Sequence, residues 1–190
     1  MQQGRSRTYI VFALTILLAG AAWILASRVP AGATTQGQIP APRQGFLAPD
    51  FELVNAAGEA VRLSDFRGQP VLLNVWASWC QPCRAEMPAM ERLYQEYRAK
   101  GLEILAVNST TQDTPEDALS FANQLGLSFP ILFDNQGSVV TSYQVQALPS
   151  TYFIAPNGII QEVVVGGPMS EALLRTRVER LLSSLPIQDQ

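Results

Sequence analysis

The stretch PVLLNVWA, residues 70–77, is apolar at almost every position, and a helical period takes over from Gln81. A near-continuous apolar run of this length fits a strand covered on both faces. The chain must therefore supply layers on either side of a sheet, and this strand must hand directly into a helix. Both cysteines of the 190-residue chain, Cys80 and Cys83, fall at that junction in SWCQPC.

The rest of the composition narrows what two thiols three apart can do. The chain contains no histidine and a single lysine, Lys100. Ser-His-Asp and Cys-His nucleophiles are excluded, as are His-bearing zinc and copper sites. No GxxxxGK loop is present, and two cysteines are too few for a four-thiolate zinc site or an iron–sulfur cluster within one chain. No DxDxDG-like run supports a calcium site. With 16 Asp and Glu against 13 Lys and Arg, and no basic stripe, there is no footprint for nucleic acid. No cofactor is implied, and the surviving chemistry is redox at sulfur.

At the junction, Cys80 is placed at the N-terminus of the helix, where unpaired N–H groups and the dipole favour a negative charge. A thiolate there forms at lower pH than a free thiol, and the thiolate is the nucleophile. Cys83 lies one turn in, on the stripe shared with Met87, Met90, Tyr94 and Tyr97. The expectation is an exposed Cys80 that attacks a foreign disulfide and a buried Cys83 that then displaces it. A structural staple would close so small a loop that its entropic gain would be slight. Pro82 favours the helix start, and Pro88 is expected to kink the helix by removing a donor for the Arg84 carbonyl.

Other elements follow from pattern. FELV (51–54) and AVRL (60–63) around NAAGE read as a small hairpin, and LEILAVN (102–108) as a second buried strand. Thr114 caps a helix that stops at Gly126; PILF (130–133) is a short strand and GSVVTSYQV a short helix. STYFIA and IIQEVVVG, joined by PNG, form a hairpin, and a last helix runs from Ser170 to about Ser184. The fold class is α/β, a central mixed sheet flanked by helices.

Upstream, YIVFALTILLAGAAWILA (9–26) is an uncharged apolar run of about bilayer length, preceded by Arg5 and Arg7. Positive charge stays on the cytoplasmic side, so the body is expected outside the cell membrane. The run is longer than a usual signal h-region and reads as a single-pass anchor, although AGA at 31–33 would also serve as a cleavage site. The layout is an anchor or signal segment over 1–27, a flexible Pro/Gly/Gln-rich linker over 28–45, a folded domain over 46–186 and a tail over 187–190.

WCQPCRAEMP, residues 79–88, resembles the W-C-x-P-C-x-x-E-x-P run of the TlpA/ResA-like thiol–disulfide oxidoreductases in the thioredoxin superfamily. YQVQALPSTYFIAPNGII (143–160) is similar to the segment that carries the superfamily's cis-proline, and APDFELVNAAGEAVRLSDFRGQPVLLNVWASWC resembles the redoxin-type opening of the fold. Thioredoxin proper has a buried Asp where this chain has Asn74. The Pro-x-x-x-Thr/Ser-x-x-Cys run of peroxiredoxins is absent, with Leu73 and Val75 at its proline positions before Cys80 and Cys83.

The resemblance implies a thioredoxin-like fold with an N-terminal β-hairpin extension and a central insertion, covering about residues 46–184. It implies Cys80 and Cys83 as the redox-active disulfide, Glu86 as an acid/base one turn beyond Cys83, and Pro149, in cis, holding the Leu148 backbone beside the sulfurs. Trp79 is a candidate client contact. Implied partners are exported protein disulfides, with apocytochrome c as the candidate client, and a membrane thiol-electron donor of the CcdA/DsbD type. A disulfide oxidase, or a non-catalytic binding module on the same scaffold, would use the same framework.

Overall fold

The computed structural model describes residues 14–20, 23 and 39–184. The chain divides into two compact units, Met1–Thr35 and Gln36–Gln190. In the first, residues 14–20 are helical, with Leu14, Ile16, Leu17 and Leu18 exposed. Among the described residues no helix is long and apolar enough to cross a membrane; the run 9–26 falls largely outside those residues.

The second unit holds strands β1 (Glu52–Asn55), β2 (Ala60–Arg62), β3 (Val71–Trp76), β4 (Glu103–Asn108), β5 (Ile131–Phe133), β6 (Ser150–Ile154) and β7 (Ile160–Val165). Its helices are α1 (Gln81–Tyr97), α2 (Pro115–Leu125), α3 (Ser138–Ser142) and α4 (Glu171–Leu182). The strands form one mixed sheet in the order β2-β1-β5-β4-β3-β6-β7. β3, β4 and β5 run parallel, while β6 and β7 continue antiparallel beyond β3 and the β1–β2 hairpin continues antiparallel beyond β5.

All six residues of β3 are buried, as its apolar run requires. Side chains alternate across a strand. Leu72 and Trp76 thus face a layer with Met87, Met90 and Leu93 of α1, Phe121 of α2 and Leu174, Val178 and Leu181 of α4. Leu73 and Val75 face the other layer, with Leu53, Leu63, Val139, Tyr143 and Tyr152. One polar residue, Asn74, lies fully buried on the α1 side of β3.

The helices begin and end where their local chemistry places them. Thr114 caps α2 by accepting the Asp117 N–H at 3.1 Å, and Gly126 closes it in the left-handed region at φ 63°. α1 runs unbroken through Pro88 to Tyr97 and passes into a 3-10 turn at Arg98–Lys100, closed by Gly101 at φ 91°. Only one ladder bond is forfeited at Pro88, and the buried Met87, Ala89 and Met90 around it hold the helix on the sheet. The chain is engaged upstream of Phe46: Pro40 bridges to Leu47 and the Gly45 N–H donates to Ile160 O at 2.8 Å. Those residues were expected to be tether; residues 28–38 of the expected linker and 185–190 at the C-terminus lie outside the described residues.

Candidate active site

β3 ends at Trp76 and α1 starts at Gln81, so the four residues between them carry the turn from sheet to helix. Cys80 is the N-cap of α1, and its Sγ accepts the Cys83 N–H at 3.3 Å. A sulfur therefore occupies the position that a Ser or Asp oxygen usually fills, facing the otherwise unpaired amides of the first turn. Cys80 and Cys83 are joined in a disulfide.

Cys83 is fully buried, as its place on the helix stripe predicts, but Cys80 is only 4% exposed. The exposed position expected for Cys80 belongs instead to Trp79, which is 55% exposed. The Trp79 indole does not swing freely: its Nε1–H donates to Gln112 O at 2.8 Å. Together with Cys80 and Pro82 it borders a cleft of about 340 Å³, whose opposite wall is Val140, Val145, Ala147 and Leu148. Of the two cysteines, Cys80 alone lines that cleft.

The Leu148–Pro149 peptide is cis, and so is Gly167–Pro168, for which the sequence offered no signal. Ser150, directly after Pro149, is the first residue of β6 and pairs with Val75 of β3, so the sheet register brings the proline segment to the end of the strand that carries the cysteines. The far wall of the cleft is anchored twice. Asp134 is buried and accepts the N–H groups of Ser138, Val139 and Val140 at 2.7–3.0 Å, and also the Ser138 hydroxyl at 3.0 Å, so one carboxylate satisfies the first amides of α3. The Tyr152 hydroxyl donates to Tyr143 O at 2.8 Å, tying the segment after α3 to β6.

Glu86 is fully buried one turn beyond Cys83. Its Oε1 accepts from Asn74 Nδ2 at 3.0 Å and its Oε2 from the Met169 N–H at 3.1 Å. Asn74 Nδ2 also donates to Thr151 Oγ1 at 2.9 Å, while Asn74 Oδ1 has no partner. Burial pushes the Glu86 carboxyl above its ordinary value, and the two donors only partly offset that. A solvated helix glutamate is thus not what the fold makes of this residue. Gly167 closes the same corner: a Cβ there would lie 2.8 Å from Pro149 Cγ and 3.1 Å from Glu86 Oε2, so the approach needs glycine. Glu86 and Pro149 are brought to one corner by Gly167 and Met169, residues that no local pattern marks.

A second network on the other side of Cys80 was likewise not visible in the sequence. Asp113, in the β4–α2 loop, accepts from Ser78 N–H at 2.6 Å, Ser78 Oγ at 2.7 Å, Asn108 Nδ2 at 2.7 Å and Thr114 N–H at 3.0 Å. Burial alone would raise its carboxyl, but the Ser78 N–H, Asn108, Ser78 hydroxyl and Thr114 bonds outweigh it and hold the group below its ordinary value. Arg84 Nη1 donates to Ser78 O at 3.0 Å while its guanidinium lies 4.3 Å above the Phe121 ring. Among the described residues no group of three or more His, Cys, Asp or Glu side chains is placed to hold a metal ion.

Comparison with known proteins agrees with this geometry. The sequence model described as the AhpC/TSA family matches residues 45–163. A thiol-disulfide oxidoreductase ResA of Oceanobacillus iheyensis is 43% identical over 150 residues, 77% of this chain and 74% of the relative. The thioredoxin-like protein YneN of Bacillus subtilis is 46% identical over 125 residues, 65% of this chain and 72% of that one. Among solved structures, one from Chlorobium tepidum assigned as a thiol:disulfide interchange protein DsbE is similar with a TM-score of 0.68 and 35% identity, covering 74% of this chain and 98% of that one.

Proposed function

The chain belongs to the AhpC/TSA redoxin family as a thiol–disulfide oxidoreductase of the ResA/DsbE type, and from that premise we propose that it works as a reductase of exported protein disulfides. The observation that carries this reading is the asymmetry of the dithiol: Cys80 at the helix end borders the cleft, and Cys83 sits fully buried behind it.

In the forward step the Cys80 thiolate attacks one sulfur of a client disulfide, forming a Cys80–client mixed disulfide and releasing one client thiolate. Cys83 then gives up its proton and attacks Sγ of Cys80, closing the protein disulfide and releasing the second client thiolate. The client gains two electrons and the protein dithiol loses them. Glu86, one turn from Cys83 and raised by burial, is suited to take the Cys83 proton. Trp79 and Leu148, which line the cleft with Cys80, supply the contact surface, and the cis peptide to Pro149 follows Leu148 directly.

The reducing direction draws support from the same carboxylate. When ionised, the buried Glu86 carboxylate one turn from the resolving cysteine opposes thiolate formation there, which weakens the dithiol relative to the disulfide and lowers the potential. The proposed location is outside the cell membrane, with residues 9–26 as the anchor. Its support is the apolar run behind Arg5 and Arg7 and the exposed leucines at 14, 17 and 18. In an oxidising compartment a reductase needs a defined client and an outside source of electrons. Apocytochrome c, whose haem-attachment cysteines must stay open, is the proposed client, and a membrane thiol transporter of the CcdA/DsbD type the proposed donor.

The test is trapping in cells. Cys83→Ser loses the resolving step and is expected to accumulate mixed disulfides through Cys80, whereas Cys80→Ser accumulates none. Cysteine peptides of c-type cytochromes among the trapped partners support the client; their absence with other exported partners present sinks that client alone. Equal trapping by both variants contradicts the assignment of attacker and resolver.

A further inference from the structure

We propose that Asp113 is a positioning residue for the redox centre: its carboxylate holds the Ser78–Trp79–Cys80 turn at the attitude in which Cys80 meets Cys83. The turn between β3 and α1 has one backbone hydrogen bond of its own, from Cys80 N–H to Ala77 O at 3.2 Å, which leaves the polar groups of Ser78 and the Trp79 indole to be fixed from elsewhere. Asp113 supplies that second constraint from 35 positions away, accepting both the backbone N–H and the hydroxyl of Ser78. The remaining polar atom of Ser78, its carbonyl, takes Arg84 Nη1. The neighbouring Gln112 carbonyl fixes the Trp79 indole. Every polar group of the residue two before Cys80 is thus committed, and the β4–α2 loop grips the turn at two successive side chains.

The chemistry of the pocket demands a carboxylate. Four donors converge on Asp113. An ionised carboxylate offers only acceptors and satisfies all four. An amide of the same shape offers one acceptor and one donor, so an NH₂ must face at least one N–H with no acceptor between them, and a partly buried donor left unpaired is costly. Asp113→Asn therefore releases the turn without changing its volume.

A dithiol closes to a disulfide more favourably the more tightly its two sulfurs are held near each other. Releasing Cys80 lowers that advantage, and removing a negative charge from the turn that carries Cys80 favours the thiolate form. Both effects make the protein disulfide easier to reduce. The inference uses the Cys80–Cys83 exchange of the preceding section as its readout and is otherwise separate from the client and location.

The experiment equilibrates the full-length protein with glutathione. Two protein thiols become one disulfide as one glutathione disulfide becomes two thiols, and the oxidised fraction gives the equilibrium constant. Asp113→Asn is expected to lower that constant about tenfold, roughly 30 mV for a two-electron couple. Ser78→Ala, which keeps the charge and removes one of the four donors, is expected to lower it about threefold. Glu116→Gln, removing a charge in the first turn of α2 away from the turn, is expected to leave it unchanged.

A constant within twofold of wild type in both Asp113→Asn and Ser78→Ala overturns the proposal even if their unfolding midpoints fall, because the network would then be only structural. An equal shift in Glu116→Gln also overturns it, since any nearby charge would do. Should Asp113→Asn fail to fold, Ser78→Ala decides alone. A wild-type protein that does not exchange with glutathione takes down the functional reading and this one together, whereas wild-type exchange with unchanged variants takes down only this one.

Discussion

At the scale of single residues, the site is organised by where charge is allowed. Glu86 is buried and its carboxyl lies above the ordinary range, because desolvation outweighs the bonds from Met169 and Asn74. A carboxyl whose folded-state value exceeds its unfolded value favours folding most when protonated. That contribution is complete below the unfolded carboxylate range and is lost as pH rises through the folded value. Glu86→Gln keeps the shape without the charge, and Asn74 can turn its unpartnered Oδ1 toward the new NH₂. The variant is expected to be more stable than wild type at pH 8, by about 1 kcal/mol, with the difference vanishing near pH 4. Urea unfolding at the two pH values with the disulfide intact checks this, and the same protein is expected to exchange disulfides more slowly. Wild type being the more stable at pH 8 would mean that the carboxylate's bonds outweigh its burial.

At the scale of elements, α3 is a five-residue helix that carries part of the cleft wall and owes its start to one buried side chain. Asp134 satisfies three backbone amides there, in a helix too short to form unaided. Asp134→Asn places an amide NH₂ against that row of donors and is expected to cost about 2–3 kcal/mol in chemical denaturation. A loss below about 0.5 kcal/mol would mean that α3 is held by packing of Val139 alone.

Elements were largely legible in the sequence because each carries its own signal. β3 is marked by its apolar run, α2 by Thr114 and Gly126, and the β6–β7 hairpin by PNG. The site was legible only where chemistry and local pattern coincide, at Cys80, Cys83 and, through resemblance, Glu86 and Pro149. Asp113 and Gly167 were not, because what gives them meaning is a partner 35 residues away in one case and the space beside a proline ring in the other. Cys80 came out less exposed than expected because solvent exposure at the turn falls on its neighbour Trp79, which position along the helix does not reveal.

At the scale of the whole molecule, the sheet, both of its covering layers and the cleft all belong to the unit Gln36–Gln190. That unit contains every described contact of the redox centre. If residues 9–26 anchor the protein as proposed, the full chain is expected in the membrane fraction and a chain beginning at Gln36 outside it. The shorter chain is also expected to unfold within about 2 °C of the full one, well inside the shift that 1 kcal/mol would produce in a domain of this size. Fractionation and thermal unfolding of the two chains check both halves. A full chain recovered in the soluble fraction with its N-terminus intact contradicts the anchor, and a lowered midpoint would mean that residues before Gln36 contribute to the fold.

The place of β3 in the sheet also matters while the chain is being made. Asn74 in its middle pairs with Ala106 of β4 on one side and with Thr151 of β6 on the other. The second partner follows 77 residues later. A nascent chain that has just released VLLNVW from the ribosome thus carries an apolar ribbon with both hydrogen-bonding edges bare, and one edge stays bare until nearly the whole domain has emerged. Such a segment invites pairing with other chains. The strand that delivers the cysteines is therefore also the stretch most open to mispairing until β6 is in place.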